Sequence, residues 1–508
     1  MKSMKRLTAV LLTLAMLFAI VACGAKADIP AEQTTVAAED TTVATTTVTA
    51  ETVPAETGRK HTPDSIPEDL KFTGKTVNIL FPMSDGGSAD QIDWSEGISG
   101  DLVNDAVYER QRYVEDRFGI TFNIYRDDTA TSWVDKLRND VKSDTGSFDI
   151  VYGNQHRTNT LITQNMYLDM SESAYINFDQ PWWNNQFMQE ASVGNRRYLL
   201  AGDISLSMLS YTSCMYFNKD AVENVLGIKA DDLYQLVLDG KWTMDQLYTY
   251  SEQAYSDLNG NGSADENDRY GIGVVTASTT DHMTIDAGLR YTTRDENGVP
   301  QLVKDTSKLI EYTEKLYNLF YQNPGVHVYA SVQDNLRVVI PGKFMENEIL
   351  FMAGYFYSAS LLKNMKTDYG IIPYPKLDES IERYGALAHD SAQLVSVVVT
   401  CKDVDMISAV LEATAAENYR KVTPAYYEIA LKTKYVRDDI SGQIIDMIHD
   451  SSTTDFAYIY NNSLGKVGHT MRTLMNNKSN NFASLWKANE RIVQKYLETL
   501  VKAFDEVK

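Results

Sequence analysis

Cysteine is nearly absent from this 508-residue chain, with three in all, at positions 23, 214 and 401. That excludes the disulfide framework on which small secreted domains depend. Cys214 and Cys401 sit in apolar, strand-like runs and read as buried free thiols. Histidine is scarce too: there are seven, and His282, His327 and the others fall singly, without metal-ligand spacing. Basic charge is the third shortage. Lys and Arg number 47 against 69 Asp and Glu, a formal charge of −22. A body this acidic argues against nucleic acid and against an anionic membrane surface as partners. No GxSxG elbow, HExxH helix, Walker loop or GxGxxG turn opening a helix occurs, so the commonest enzyme signatures are missing. Carboxylates are so numerous that some pair always looks like a glycosidase dyad, and such pairs carry no information.

The chain opens with Lys2, Lys5 and Arg6 before an apolar run over residues 7–22, a secretory signal too short to be a stable membrane span. The run ends in Ile20-Val21-Ala22-Cys23, which resembles the bacterial lipobox. That resemblance implies cleavage of residues 1–22 and diacylation of Cys23. The protein is then expected on the extracellular face of the cytoplasmic membrane, touching the bilayer through its lipid alone. Residues 23–66 follow, rich in Thr, Ala, Val, Glu and Pro and without an aromatic residue. Such a stretch cannot bury enough apolar surface to offset its ordering entropy, so it reads as a disordered tether. Flexible-coil scaling gives it an average reach of roughly 35 Å.

The folded body starts with a strand over residues 75–81 and a helix over 101–118, with Leu102, Ala106, Tyr113 and Phe118 at helical spacing. A strand at 120–125, a helix at 133–141 and a strand at 148–152 come next. Strands alternating with helices predict an α/β fold whose parallel sheet is built by right-handed crossovers. Ligands of such sheets sit beyond the carboxyl ends of the strands. Asp85, in the turn after the first strand, and Asn154 and His156, after the third, therefore share one rim. Trp94 follows the first rim loop and is a further candidate.

Residues 257–268 (DLNGNGSADEND) carry the best-defined chemical motif. Oxygen side chains at Asp257, Asn259 and Asn261, glycine at 262, Ser263, Asp265 and a carboxylate at Asp268 have calcium-loop spacing. A hard cation with six or seven oxygen ligands needs this order, so a structural Ca2+ is expected, weakly held because two ligands are Asn. The incoming helix reads as capped by a Thr243–Gln246 box. Trp182-Trp183, beside Asn184 and Asn185, suit a sugar cleft, since a pyranose face packs on indole while amides bind hydroxyls. Trp242 reads as packing at a helix start.

Several segments in order resemble the extracellular solute-binding proteins of ABC importers, the maltose-binding type included. They are residues 104–118, Phe148-Asp149-Ile150-Val151-Tyr152-Gly153, Leu168-Asp169-Met170, Gly202-Asp203-Ile204-Ser205, residues 214–219, residues 240–243, and residues 342–347 running on to Gly354. The resemblance implies a periplasmic-binding-protein-like fold of two α/β lobes, with a hinge and an interlobe ligand cleft. It gives 67–200 as the first lobe, 201–385 as the second, 386–450 as the return and 451–508 as helices crossing the lobes. It also implies a stacking aromatic at Tyr355 or Tyr357, with Tyr211 and Asp390, beside His389, near the hinge crossings. The function implied is capture of a small polar ligand, an oligosaccharide by preference, for an ABC permease, by a monomer doing no chemistry. A surface glycan-binding sensor and a secreted carbohydrate-active enzyme are the alternatives.

Overall fold

β1 (Thr76–Pro82) shows why the chain forms layers. Val77, Ile79, Leu80 and Phe81 are all fully buried, the pattern of a strand covered on both faces. The computed structural model describes residues 58–83, 93–127, 132–432 and 439–507. Cys23, the signal segment, most of the tether and Asp85 lie outside the described residues. β1 pairs in parallel with β2 (Thr121–Asp127) and β3 (Ile150–Asn154). A fourth strand, supplied from much later in the chain, joins β3 antiparallel and makes this sheet mixed where the sequence predicted a parallel one.

The second sheet takes β4 (Ser213–Asn218) and β5 (Tyr270–Val275), skips the hairpin β6 (Thr292–Arg294) and β7 (Pro300–Leu302), and adds β8 (Val326–Tyr329), β9 (Ile349–Tyr355) and β10 (Tyr369–Ile372). Its order is β10-β4-β9-β5-β8. Two short strands, β11 (Ala386–Leu387) and β13 (Ser452–Thr453), pair with each other, and β12 (Gln393–Val397) is the late strand of the first sheet. The fold is therefore α/β with two lobes. The chain leaves the first sheet after Leu200, which bridges to Val395, and Thr212 bridges to Ala388 where the outgoing and returning segments run side by side.

Helix Leu102–Phe118 is capped by Asp101, which accepts from the Val103 and Asn104 amides. It buries Val103, Val107, Arg110, Val114 and Phe118, whereas Leu102 and Tyr113 are exposed. The inward stripe is thus one position round from the sequence expectation. Arg110 disguised it: a charged residue sits in the core because its guanidinium lies 4.6 Å from the Trp94 ring and donates to the Asp93 carbonyl.

The tether ends sooner than expected. Asp64 accepts from Arg117 at 2.8 Å and Arg420 at 3.1 Å, and Ile66 is buried, so two ion pairs and an apolar anchor hold residues 64–66 to the first lobe. Helix Asp439–Asp450 packs on β10, so the stretch 386–450 divides between the sheets. The final helix, Phe482–Asp505, contacts helix Ser307–Tyr321 and β7, while Phe504 packs on Tyr198 and Tyr460. Thr243 makes no side-chain cap; its segment is fixed instead by the Met244 amide donating to the Lys376 carbonyl at 2.8 Å. Cys214 and Cys401 are buried free thiols.

Candidate functional site

The two chain crossings hold the site. Leaving the first lobe, Ser205 and the Leu206 amide donate to the Asp93 carboxylate at 3.2 and 2.6 Å, starting the short helix Leu206–Ser210 and delivering Tyr211. Burial pushes the Asp93 carboxyl up to about 6. The returning chain lies alongside: the His389 amide donates to the Tyr211 carbonyl at 3.2 Å. The rim of the first lobe is tied to the same segment, because Gln155 Nε2 donates to the carbonyls of Ala388 and His389 at 3.1 and 2.9 Å. One step on, His156 Nδ1 lies 3.2 Å from the Asp390 carbonyl.

The second lobe adds an aromatic platform. Tyr355, at the end of β9, stacks on Tyr357 with ring centres 5.2 Å apart and planes 12° from parallel. Tyr211 meets both rings edge-on at 6.0 and 5.2 Å and stacks on His389 at 5.9 Å. His282, from helix Ser278–Asp286, lies 4.8 Å from Tyr355 and 5.6 Å from His389. Asp286 locks that helix to both crossings, accepting from Ser213 Oγ at 2.5 Å and the Leu387 amide at 2.6 Å. Asp281, one residue before His282, is ion-paired with Arg472 and lies 3.7 Å from His469 Nε2.

Four of the seven histidines thus gather at one seam. Burial, reinforced by neighbouring charge, drives His282 down to about 3 and His469 to about 4, and lowers His389. Burial alone would raise Asp390, yet His389, His156 and Arg472 hold its carboxyl below the ordinary range. The seam therefore holds neutral imidazoles beside a carboxylate, a guanidinium and three tyrosine rings. Those groups can hydrogen-bond a polyhydroxyl compound while its apolar face lies on an aromatic ring.

Of the residues singled out from sequence, Tyr211, Tyr355, Tyr357, His156 and Asp390 are brought together here. Asn154 is next to them in the chain and buried, and among the described residues neither end of its side-chain amide has a hydrogen-bond partner. Three tryptophans are elsewhere. Trp94 packs between Phe122 and Tyr152, 5.0 and 5.8 Å away, under Arg110. Trp182 is fully buried and lies 6.0 Å from Tyr419. Trp183 donates from Nε1 to Glu412 at 2.7 Å and packs on Phe178. Each indole finds apolar or hydrogen-bonding company in the first lobe, which is a stronger demand than facing water. Trp242 is core as expected, its Nε1 donating to the Pro373 carbonyl at 2.9 Å. Asp281, His282, His469 and Arg472 were missed by sequence reasoning, and a signal for them is hard to name: they converge from a helix and a tail about 190 residues apart.

In the loop 257–268, Asp257 accepts from the Gly260 and Gly262 amides at 2.7 and 2.8 Å. Gly262 has φ +73°, the left-handed turn for which glycine is suited. Asn259 and Asn261 donate to Asp265, whose carboxyl is held down at about 2 by these bonds and the Asn267 amide. Asp268 is buried, accepting from Tyr255 and from the Leu258 and Asp265 amides, and Ser263 donates its amide to Asn261 Oδ1. The side chains of the turn are bonded to one another. Among the described residues, no group of three or more His, Cys, Asp or Glu is arranged to hold a metal ion.

Taken together, the two sheets, the paired crossings and the seam between them define the fold of the ABC transporter solute-binding proteins. Among solved structures it is similar to a cyclo/maltodextrin-binding protein complexed with maltotetraose, at 11% identity and a TM-score of 0.52, over 86% of this chain and 98% of that one. It is similar also to UspC of M. tuberculosis, at 12% identity and a TM-score of 0.51, over 84% of this chain and all of that one. A Thermotoga lettingae solute-binding protein bound with α-D-tagatose matches at 14% identity and a TM-score of 0.50, over 84% and 100%. No protein-family model matches the sequence, and no curated protein matches it.

Proposed function

We propose that this protein is a membrane-anchored solute-binding protein that captures a small polar ligand, an oligosaccharide by preference, between its lobes and delivers it to an ABC permease. It carries out no chemistry of its own. The observation that supports this reading is the seam where Tyr211, Tyr355, Tyr357 and His389 gather beside Asp390. Tyr355 and Tyr357 belong to the second lobe, His156 to the first, and Tyr211 and Asp390 to the crossings. A ligand touching all of them gains more contacts with the lobes together than apart, so binding favours closure. A thermal-shift screen of mono- and oligosaccharides, with small-angle scattering on any hit, tests it. A ligand at a hundredfold excess over Kd adds about 2.7 kcal/mol of stability. A folded protein whose melting and radius of gyration ignore every sugar would defeat the proposal.

The anchor belongs to the same proposal: Cys23 is diacylated and holds the protein outside the cytoplasmic membrane. Mass spectrometry of the membrane fraction is expected to find a lipid-bearing amino-terminal Cys23, and Cys23→Ala to free the protein into the medium. Calcium is proposed for the loop 257–268, where Gly262 makes the bend and Asp257 already has its inward backbone bonds. Added CaCl2 is expected to raise the melting temperature of the wild type and leave Asp257→Ala unmoved; equal responses would remove the ion from the proposal.

A further inference from the structure

The edge of the second sheet carries a groove that the cleft does not use. Strand β8 is the last in its sheet, and the groove follows it from Val326 to Tyr329, enclosing about 470 Å³. That is within the roughly 300–1,000 Å³ of small-ligand sites. Tyr321, at the end of helix Ser307–Tyr321, lines it from one element. Asn476 and Lys478, from the end of helix Thr470–Asn476 and the turn beyond it, line it from another.

The polar groups of the groove are accessible and unclaimed. His327 is half-buried, its ring 5.0 Å from that of Tyr270 and 4.3 Å from that of Tyr329. Neither of its nitrogens is hydrogen-bonded among the described residues. Burial lowers its pKa, so the imidazole is neutral and can both donate and accept. Exposed Asn476 accepts from Thr276 Oγ1 through Oδ1 at 2.5 Å, which fixes the amide and leaves Nδ2 to donate. Exposed Lys478 lies 5.6 Å from the centre of the Tyr321 ring. Charge nearby is of both signs: Lys478 lines the groove, and Asp265, Glu266, Asp268 and Lys343 all act on His327. Neither an anion nor a cation is singled out. The half-buried rings of Tyr321 and His327, beside free donors and an acceptor, match a neutral sugar, its apolar face on a ring and its hydroxyls on the rim.

Two elements that pack side by side join the groove to the seam. Helix Thr470–Asn476 brings Arg472 to Asp281 at the seam and, four residues and about 6 Å further on, Asn476 to Thr276 at the groove. Thr276 and Asp281 are likewise close in sequence, one just after β5 and the other in helix Ser278–Asp286. We propose that the groove is a second sugar subsite, which takes a further unit of a neutral oligosaccharide whose end is held at the seam. This rests on the sugar reading of the cleft and adds to it a preference for chains over short sugars.

The test is calorimetric titration of the full-length protein with malto-, cello- and xylo-oligosaccharides of two to seven units. In a series that binds, affinity is expected to rise at least tenfold from the shortest member to the longest, a comparison that needs no variant to fold. The double variant Asn476→Ala, Lys478→Ala, altered only at exposed positions, should lose that gain and bind the shortest member within twofold of wild type. His327→Ala should lose it as well. Affinity that ignores chain length, or a gain that survives in either variant, would overturn the groove and leave the cleft reading standing. Equal loss of short and long sugars in the variants would overturn it too, by making these residues part of the cleft. Silence with every series would overturn groove and cleft reading together.

Discussion

The two sides of the hinge use the same residue type to opposite ends. On the tyrosine side, His282, His389 and His469 are held neutral, and on the other His449 is pushed up to about 9. Burial lowers all four, so burial does not decide. The carboxylates do. His469 faces Asp281, but Arg472 already holds that carboxylate. His389 Nδ1 lies 3.2 Å from Asp390, yet it accepts the Ser391 amide at 3.1 Å and so carries no proton to offer. His449 has Asp203, which pairs with no arginine among the described residues, and Asp450, on which Arg59 also acts. A histidine is charged here where a buried carboxylate, Asp203, has no arginine paired with it among the described residues, and on the tyrosine side the imidazoles stay neutral.

The largest test of that contrast is Arg472→Met. Removing the partner of a buried carboxylate is expected to cost about 3 kcal/mol at pH 8. Burial pushes Asp281 up to about 7 even with Arg472 pulling the other way, so in the variant it takes its proton at still higher pH. Urea unfolding should then show a clearly smaller loss at pH 5. A loss independent of pH would mean that the ion pair is not what holds Asp281.

His449→Gln and His469→Gln are expected to tilt the pH profile of stability in opposite directions. His449 has a folded-state value above its unfolded one, so its contribution is complete below pH 6.5 and lost as pH rises towards 9. At about 1.4 kcal/mol per pKa unit, the wild type should lose about 3 kcal/mol over that window relative to His449→Gln. For His469 the folded-state value, about 4, is below the unfolded one. Its penalty is absent above pH 6.5 and grows as pH falls, so His469→Gln should become relatively more stable towards pH 4. Parallel profiles for the two variants would break the comparison.

How much of this was legible beforehand differs between fold and site. The strands at 75–81, 120–125 and 148–152 were readable because strand-length apolar runs alternate with helical spacing, and the structure has β1, β2 and β3 there. β12 was not readable as the antiparallel fourth strand, because pairing between segments about 240 residues apart leaves no local pattern. Among cleft candidates, those carried by chain position after a strand end or near a crossing (Tyr355, Tyr357, His156, Asp390) came together. Trp182 and Trp183, carried by residue type, did not, and neither did Trp94, carried by its place after the first rim loop, since a large indole is as useful to a core as to a sugar. Asp281 and Arg472 needed the tertiary fold.

Tyr357→Ala is the next test in size, on the cleft side only. Tyr357 is half-buried at the edge of the platform, where Tyr355 behind it is buried. Loss of one stacking ring is expected to weaken a bound sugar about tenfold, read by calorimetry with a ligand found in the screen. Melting of the unliganded protein should shift little. A large fall in stability with unchanged affinity would make Tyr357 a packing residue and leave the platform to Tyr211.

The smallest effect expected is that of Trp183→Phe, and it bears on the opposite claim, that this indole is structural. Its Nε1–H donates to Glu412 Oε2, and burial pushes that carboxyl up to about 7 although the indole N–H pulls the other way. Phenylalanine keeps most of the apolar packing on Phe178 and removes the donor, leaving that oxygen the Asn177 amide at 3.3 Å. The cost should be about 1 kcal/mol, as for a buried acceptor that loses one partner. Sugar affinity should stay within twofold of wild type, because the Trp183 ring is spent on Phe178 and Glu412 in the first lobe and not on the tyrosine platform. A tenfold loss of affinity at unchanged stability would return Trp183 to the cleft and show that residue type, here, was the better guide than burial.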